Sequence, residues 1–340
     1  MRGCLAAFAA LLFLAAPAAS QPTATEKLDR AAVEAGRWNE QLGAALLAAT
    51  EDIEALNQKV RAMAAAAATR ESVAAAVPAI RQLIDQNREN VRRSNAMLES
   101  LPPFPGGLPM DIPAEQLVAD GRAQNDRLLE LLNHYDAAIV AMAKGDIAAL
   151  NRTLPKMMEG AFALIDQQRL LFRGRQATVP ATDSTHQALG IAVQIYRTLD
   201  VVARQGLAAR NGDGSGAESA ATRLRDELRL IARDTRTLTA AGRSNLKREL
   251  AEIEALRPRA SNDPAAARLV ERAHALTAAE EKSFEVGDRL AAYADEHSAL
   301  TGAQLRQTPS RSLVDPLSQL ESDFIDIGVE QAARTGEEPR

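Results

Sequence analysis

Few residues in this chain are equipped for chemistry, and their spacing narrows what that chemistry could be. The four histidines, at positions 134, 186, 274 and 297, are scattered. Glu271 and His274 form an E-x-x-H on a predicted helix, which puts a carboxylate and an imidazole on one face, as in metal-binding bundles. Glu281, Glu285 and Asp288 follow on nearly the same face. Glu271 and His274 are therefore the metal candidates. A di-iron bundle needs a second E-x-x-H, which Asp183-Ser-Thr-His186 only imitates, so a solvated acidic face competes with the metal reading.

A second set is made of amides. Asn39, Asn87, Gln124 and Gln168 each fall in phase with the apolar stripe of their own helix, and Trp38 stands beside the first. A buried amide must be hydrogen-bonded to another amide, to water or to a ligand. Trp38, Asn39, Asn87, Gln124 and Gln168 are thus the ligand-binding candidates. The four amides are expected at roughly one level, toward the end carrying the Pro-rich loop. A polar layer that fixes helix register is the alternative.

The loop Asn211-Gly-Asp213-Gly-Ser215-Gly216 has the first half of a calcium loop, but Thr222 stands where the bidentate Glu belongs. It reads as a polar linker. No G-x-S-x-G or H-E-x-x-H is present. No catalytic residue, no enzyme activity and no cofactor is expected.

Thiol chemistry is excluded by position. Arg2, the apolar run Leu5 to Ala16, Pro17 and Ala18-Ala19-Ser20 follow the order of a secretory signal peptide, with cleavage expected near Ser20. That run is about 12 residues, short of the ~20 a spanning helix needs. The single cysteine, Cys4, precedes it, so the mature chain is expected to lack disulfides, thiolate metal sites and covalent haem. The expected location is the periplasm, or secretion, with no integral span after cleavage.

The elements that must position these residues are helices. The 340-residue chain has a net charge of −5, one Trp and three Tyr, and is dominated by Ala, Leu, Arg, Glu and Gln. Its positive charges are dispersed, which argues against a nucleic-acid partner. A seam from Leu28 to Ala67 steps by three and four, with one 4+4 stutter around Ala49, and nothing between Glu26 and Ala68 stops it. Pro78 either starts or kinks the second helix. Leu101 to Pro109 is a break. A third helix follows Pro113 and ends at Lys144-Gly145-Asp146. A fourth carries Pro155, which should kink it.

Beyond Val179-Pro180 the plan repeats. Helix five ends at the Gly-rich loop, and helix six is expected to be interrupted near Gly242. Asp263-Pro264 and Asp315-Pro316 read as helix starts. The fold class is all-α: two tandem antiparallel four-helix bundles with long heptad-patterned helices. Residues 1–20 are the signal peptide, 21–175 and 176–335 the two bundles, and 336–340 a disordered tail.

Leu300-Thr-Gly-Ala-Gln304 resembles the LTxxQ signature of the small periplasmic helical chaperones of the Spy type, which implies a cradle for unfolded clients. The layout of two bundles is similar to the helical bimodular sensor domains of chemoreceptors, which implies small-ligand binding. The leading expectation is a non-enzymatic periplasmic protein that binds another envelope protein as a scaffold or accessory factor. The alternatives are a small-ligand module and a metal- or haem-dependent bundle.

Overall fold

The computed structural model describes residues 34, 37–38, 41–65, 70–104, 113–177, 179–260 and 264–336. The expected signal peptide, Asn39 and positions 337–340 of the expected tail lie outside them. Among the described residues there is no strand, and the protein is all-α. A helical stretch over 41–48 precedes α1 (Ile53–Ala65), α2 (Arg70–Glu99), α3 (Ala114–Lys144), α4 (Ile147–Ala177), α5 (Ser184–Asn211), α6 (Gly214–Ala260), α7 (Pro264–His297), α8 (Gly302–Gln307) and α9 (Ser310–Gly336). None of these helices is long and apolar enough to cross a membrane.

The chain divides into two compact units. One is built from Gln41–Pro102 and Glu115–Gln168, the other from the described residues of Met1–Glu40, Pro103–Ala114 and Arg169–Arg340.

In the first unit the seam of α2 runs Val73, Ile80, Ile84, Asn87, Val91, Ser94 and Leu98, all buried, at heptad spacing. It packs with Leu56 of α1, Leu128, Leu132 and Ile139 of α3, and Leu164 of α4. The first helix is not continuous as expected. Residues 49–52 form a turn at the stutter. There the Thr50 hydroxyl donates to the Leu47 carbonyl at 3.1 Å, and Ile53 N–H bonds Thr50 O at 3.1 Å. Pro78 lies inside α2 rather than at its start.

The junction of α3 and α4 follows local chemistry. Gly145 takes φ 70°, Gly145 N–H bonds Met142 O at 3.0 Å, and Asp146 N–H bonds Ala141 O at 2.9 Å. These are the two bonds of a Schellman stop, which needs a residue without Cβ at the left-handed position. Asp146 then caps α4 by accepting from Ala149 N–H at 2.9 Å.

In the second unit α5, α6, α7 and α9 are the long helices. The start of α9 closes on α7, where the Tyr293 hydroxyl donates to Leu313 O at 2.7 Å. The end of α4 is anchored here as well. Phe172 stacks on Tyr196 at 5.6 Å and meets Phe324 edge-on at 6.0 Å.

Two expectations are corrected in this unit. Gly242 does not interrupt α6, which runs unbroken to Ala260. A Cβ there would lie 2.2 Å from Phe284 of α7, so the glycine lets a fully buried ring approach the helix backbone. Pro316 does not start a helix either, because α9 begins at Ser310 and carries the proline inside it.

Candidate functional site

Two polar clusters lie inside the two apolar cores, one in each unit. The cluster of the first unit is made of amides. Asn87, Gln124 and Asn125 are each 0% exposed, with Asn90, Ser94 and Gln167 also buried. Helical periodicity puts them there, since each falls on the inward stripe of its own helix.

Part of this cluster is accounted for by the turn at 49–52. Asn87 Nδ2 donates to Asp52 O at 3.2 Å and Asn90 Nδ2 to the Asp52 carboxylate at 2.8 Å. Asp52 O also receives Leu56 N–H at 3.2 Å, so the amides of α2 add a tie from α2 to this turn. Asn125 Nδ2 donates to Ser94 Oγ at 2.8 Å and to Asn95 Oδ1 at 2.7 Å, which ties α3 to α2.

Gln124 is different. Among the described residues neither Nε2 nor Oε1 has a hydrogen-bond partner, and Asn87 Oδ1 and Asn125 Oδ1 also lack one. A buried unpaired polar group costs about 1–3 kcal/mol.

The amides do not share one level. Asn125 pairs with Ser94, and Gly121 packs against Leu98, so Gln124 stands level with Asn95. Asn87 is then about 12 Å away along the axis at ~1.5 Å per residue. Gln168 is only half-buried. Its neighbour Gln167 is the buried amide and donates to Asp120 O at 3.3 Å. Trp38 is buried and meets Phe104 edge-on at 5.1 Å, in the other unit. Asn39 lies outside the described residues.

The second cluster is one that sequence reasoning missed. Ser184 and Thr185 open α5 just after the N-cap Asp183, whose carboxylate accepts from Thr185 N–H at 3.0 Å. Ser184 N–H donates to Glu249 Oε1 of α6 at 2.9 Å. Ser184 Oγ lies at hydrogen-bond distance from Oε2 of Glu249 and, at 2.5 Å, from Oε2 of Glu280 on α7. Thr185 Oγ1 donates to Glu280 Oε1 at 2.6 Å.

Glu249 is 1% exposed and Glu280 8%. Burial pushes the Glu280 carboxyl up, and the charge of Glu249 adds to this; the Ser184 and Thr185 hydroxyls pull the other way. The signal was present in the seams. Glu249 stands between Leu246 and Ile253, and Glu280 between Thr277 and Phe284, at core spacing in each case.

The metal candidates Glu271 and His274 both lie on α7. Glu271 is exposed. His274 Nε2 turns to Glu254 at 3.0 Å and to the Arg257 guanidinium at 3.0 Å, so a cation already occupies the side on which a metal would bind. Among the described residues no group of three or more His, Cys, Asp and Glu side chains is placed to hold a metal ion.

Two other sequence signals resolve into helix caps. Asp213 accepts from Gly216 N–H at 2.8 Å and from Ser215 Oγ at 2.9 Å, which caps α6, and those bonds hold its carboxyl below the usual range. Thr301 and Gln304 of the LTxxQ match form a capping box on α8. In this chain the T-x-x-Q spacing therefore has a local structural purpose.

No protein-family model, curated protein or solved structure matches this chain.

Proposed function

We propose that this is an exported, non-enzymatic protein of the periplasm that works by binding, and that its ligand site is the amide layer of the unit built from Gln41–Pro102 and Glu115–Gln168. The observation that carries the reading is Gln124, fully buried with neither end of its amide bonded among the described residues. A layer serving only helix register would pair its amides with one another. Asn125 Nδ2 does this with Asn95 and Asn90 Nδ2 finds the Asp52 carboxylate, whereas Gln124 does neither.

The chemistry of an amide defines what it takes. Nε2–H requires an acceptor and Oε1 a donor, on adjacent atoms. The ligand is a small neutral molecule bearing both, such as an amide, a urea or a polyol. Export rests on the order of charge, apolar run and small residues over 1–20. The reading as a non-enzyme is supported by the state of the Ser184 hydroxyl, which is buried and committed to two carboxyl groups.

The test is thermal unfolding of the mature chain with a panel of small neutral amides and polyols, for the wild type and for Gln124→Leu. A ligand that binds only the folded state raises the Tm. The reading predicts a compound that raises the Tm of the wild type and not of the variant, while the variant alone melts above the ligand-free wild type. It is wrong if no compound acts and Gln124→Leu melts lower.

A partner protein is the second reading, and the first half of α4 favours it. Ile147, Leu154 and Met158 are 70%, 43% and 39% exposed and share one stripe by their spacing. Replacing Ile147 and Leu154 by Lys should leave the Tm unchanged and abolish crosslinking to an envelope partner. If such crosslinks survive the change, this stripe is not the contact.

A further inference from the structure

We propose that Glu249 and Glu280 hold one proton between them on the Ser184 hydroxyl, and that losing this proton releases the start of α5 from α6 and α7. The argument is a count of hydrogens. Glu249 Oε1 receives Ser184 N–H, and Glu280 Oε1 receives the Thr185 hydroxyl. The two Oε2 atoms both face Ser184 Oγ at hydrogen-bond distance. A serine hydroxyl has one hydrogen and can donate to only one of them. The other contact holds only if that carboxyl is itself protonated and donates to a lone pair of Ser184 Oγ. With one added proton every bond has a donor and an acceptor. With none, two buried anions crowd one oxygen.

A metal ion cannot take the proton's place in this arrangement. Calcium or magnesium would need its own bonds of about 2.0–2.6 Å to each oxygen, pushing apart oxygens that now touch.

The surrounding charges are committed elsewhere. On the α5 side, Asp183 caps Thr185 and His186 Nδ1 lies 2.8 Å from Val179 O. On α6, Arg248 donates to Thr182 O, and Arg243 pairs with Glu281 and Asp288 of α7 at 2.8 Å each. Lys247 and Lys282 stand two residues from the pair, toward the other side of their helices, and are exposed. Among the described residues none of these bonds brings a cation to the pair, so a proton is what neutralises it there.

The sign of the pH effect follows. Glu280 has its folded pKa raised, so its contribution to stability is full at low pH and is lost as pH rises through the folded value. A rising external pH thus loosens the first turn of α5.

The experiment compares the mature chain with Glu280→Gln. The glutamine copies the protonated acid, since its NH2 donates to Ser184 Oγ and its oxygen accepts from Thr185. The expected result is a Tm that falls with rising pH in the wild type and stays flat over the same window in Glu280→Gln. An infrared band of a protonated carboxyl should be present in the wild type at neutral pH and absent from the variant. Parallel Tm profiles, or no protonated-carboxyl band in the wild type, would overturn the proposal. If Glu280→Gln does not fold, the infrared titration of the wild type decides alone.

Discussion

The amide cluster of one unit and the carboxyl cluster of the other bury polar groups in opposite ways. In the amide cluster the buried groups are neutral, some tie α2 to the turn at 49–52, and Gln124 is left unpaired among the described residues. In the carboxyl cluster the acceptors are ionisable, and every Oε atom of Glu249 and Glu280 has a protein partner. The first arrangement carries a cost that pH does not change and that a binding partner can remove. The second is satisfied from within, on condition that it keeps its proton. An unpaired neutral core is a place to bind, whereas a paired ionisable core is a place to respond to conditions.

The largest effect should come from Ser184→Ala. Removing the shared hydroxyl leaves two carboxyl oxygens facing each other and should cost about 3 kcal/mol, more for charged groups than for neutral ones. Denaturant unfolding would measure it, and the pH slope should steepen. Gln124→Leu comes next and has the opposite sign, with a gain of about 2 kcal/mol because an unpaired amide becomes a buried apolar group. If both changes destabilised alike, the contrast between the units would fail.

Asn87→Leu sharpens the contrast inside the amide unit. This amide donates to Asp52 O and Leu83 O, so its loss should cost about 1.5 kcal/mol, unlike that of Gln124. Hydrogen exchange should show the loss as opening of the turn at 49–52. Thr301→Ala lies away from both clusters and should cost about 1 kcal/mol as a lost N-cap. A client-binding role for the LTxxQ stretch would instead leave stability unchanged and abolish suppression of aggregation.

What could be read in advance was what local chemistry decides. Gly145-Asp146 needs only a left-handed residue and a capping carboxylate, both visible in the chain. The helical seams and the all-α class follow from periodicity alone. Contacts distant in sequence were harder. Gly242 looks like a break until Phe284, forty-two positions on, is found filling its missing side chain. The stutter at Ala49 was visible, yet only Asn87 and Asn90 of another helix show that the backbone turns there.

The two clusters differ in the same respect. Asn87 and Gln124 were legible because amides on an apolar stripe are conspicuous. Their levels were not, because register between helices is set by packing, and Gln167 took the place expected of Gln168. Glu249 and Glu280 were hidden by their type. An acidic residue in a Glu-rich helix reads as solvent-facing, and the Ser184 that caps them comes from 65 and 96 positions away.

Site-resolved amide hydrogen exchange across a pH series tests the contrast most directly, because it reads both units in one sample. After correction for intrinsic rates, protection at Ser184 to Gln187 should fall as pH rises, while protection around Gln124 on α3 should stay constant. Protection that falls equally in both places, or in neither, would contradict the account.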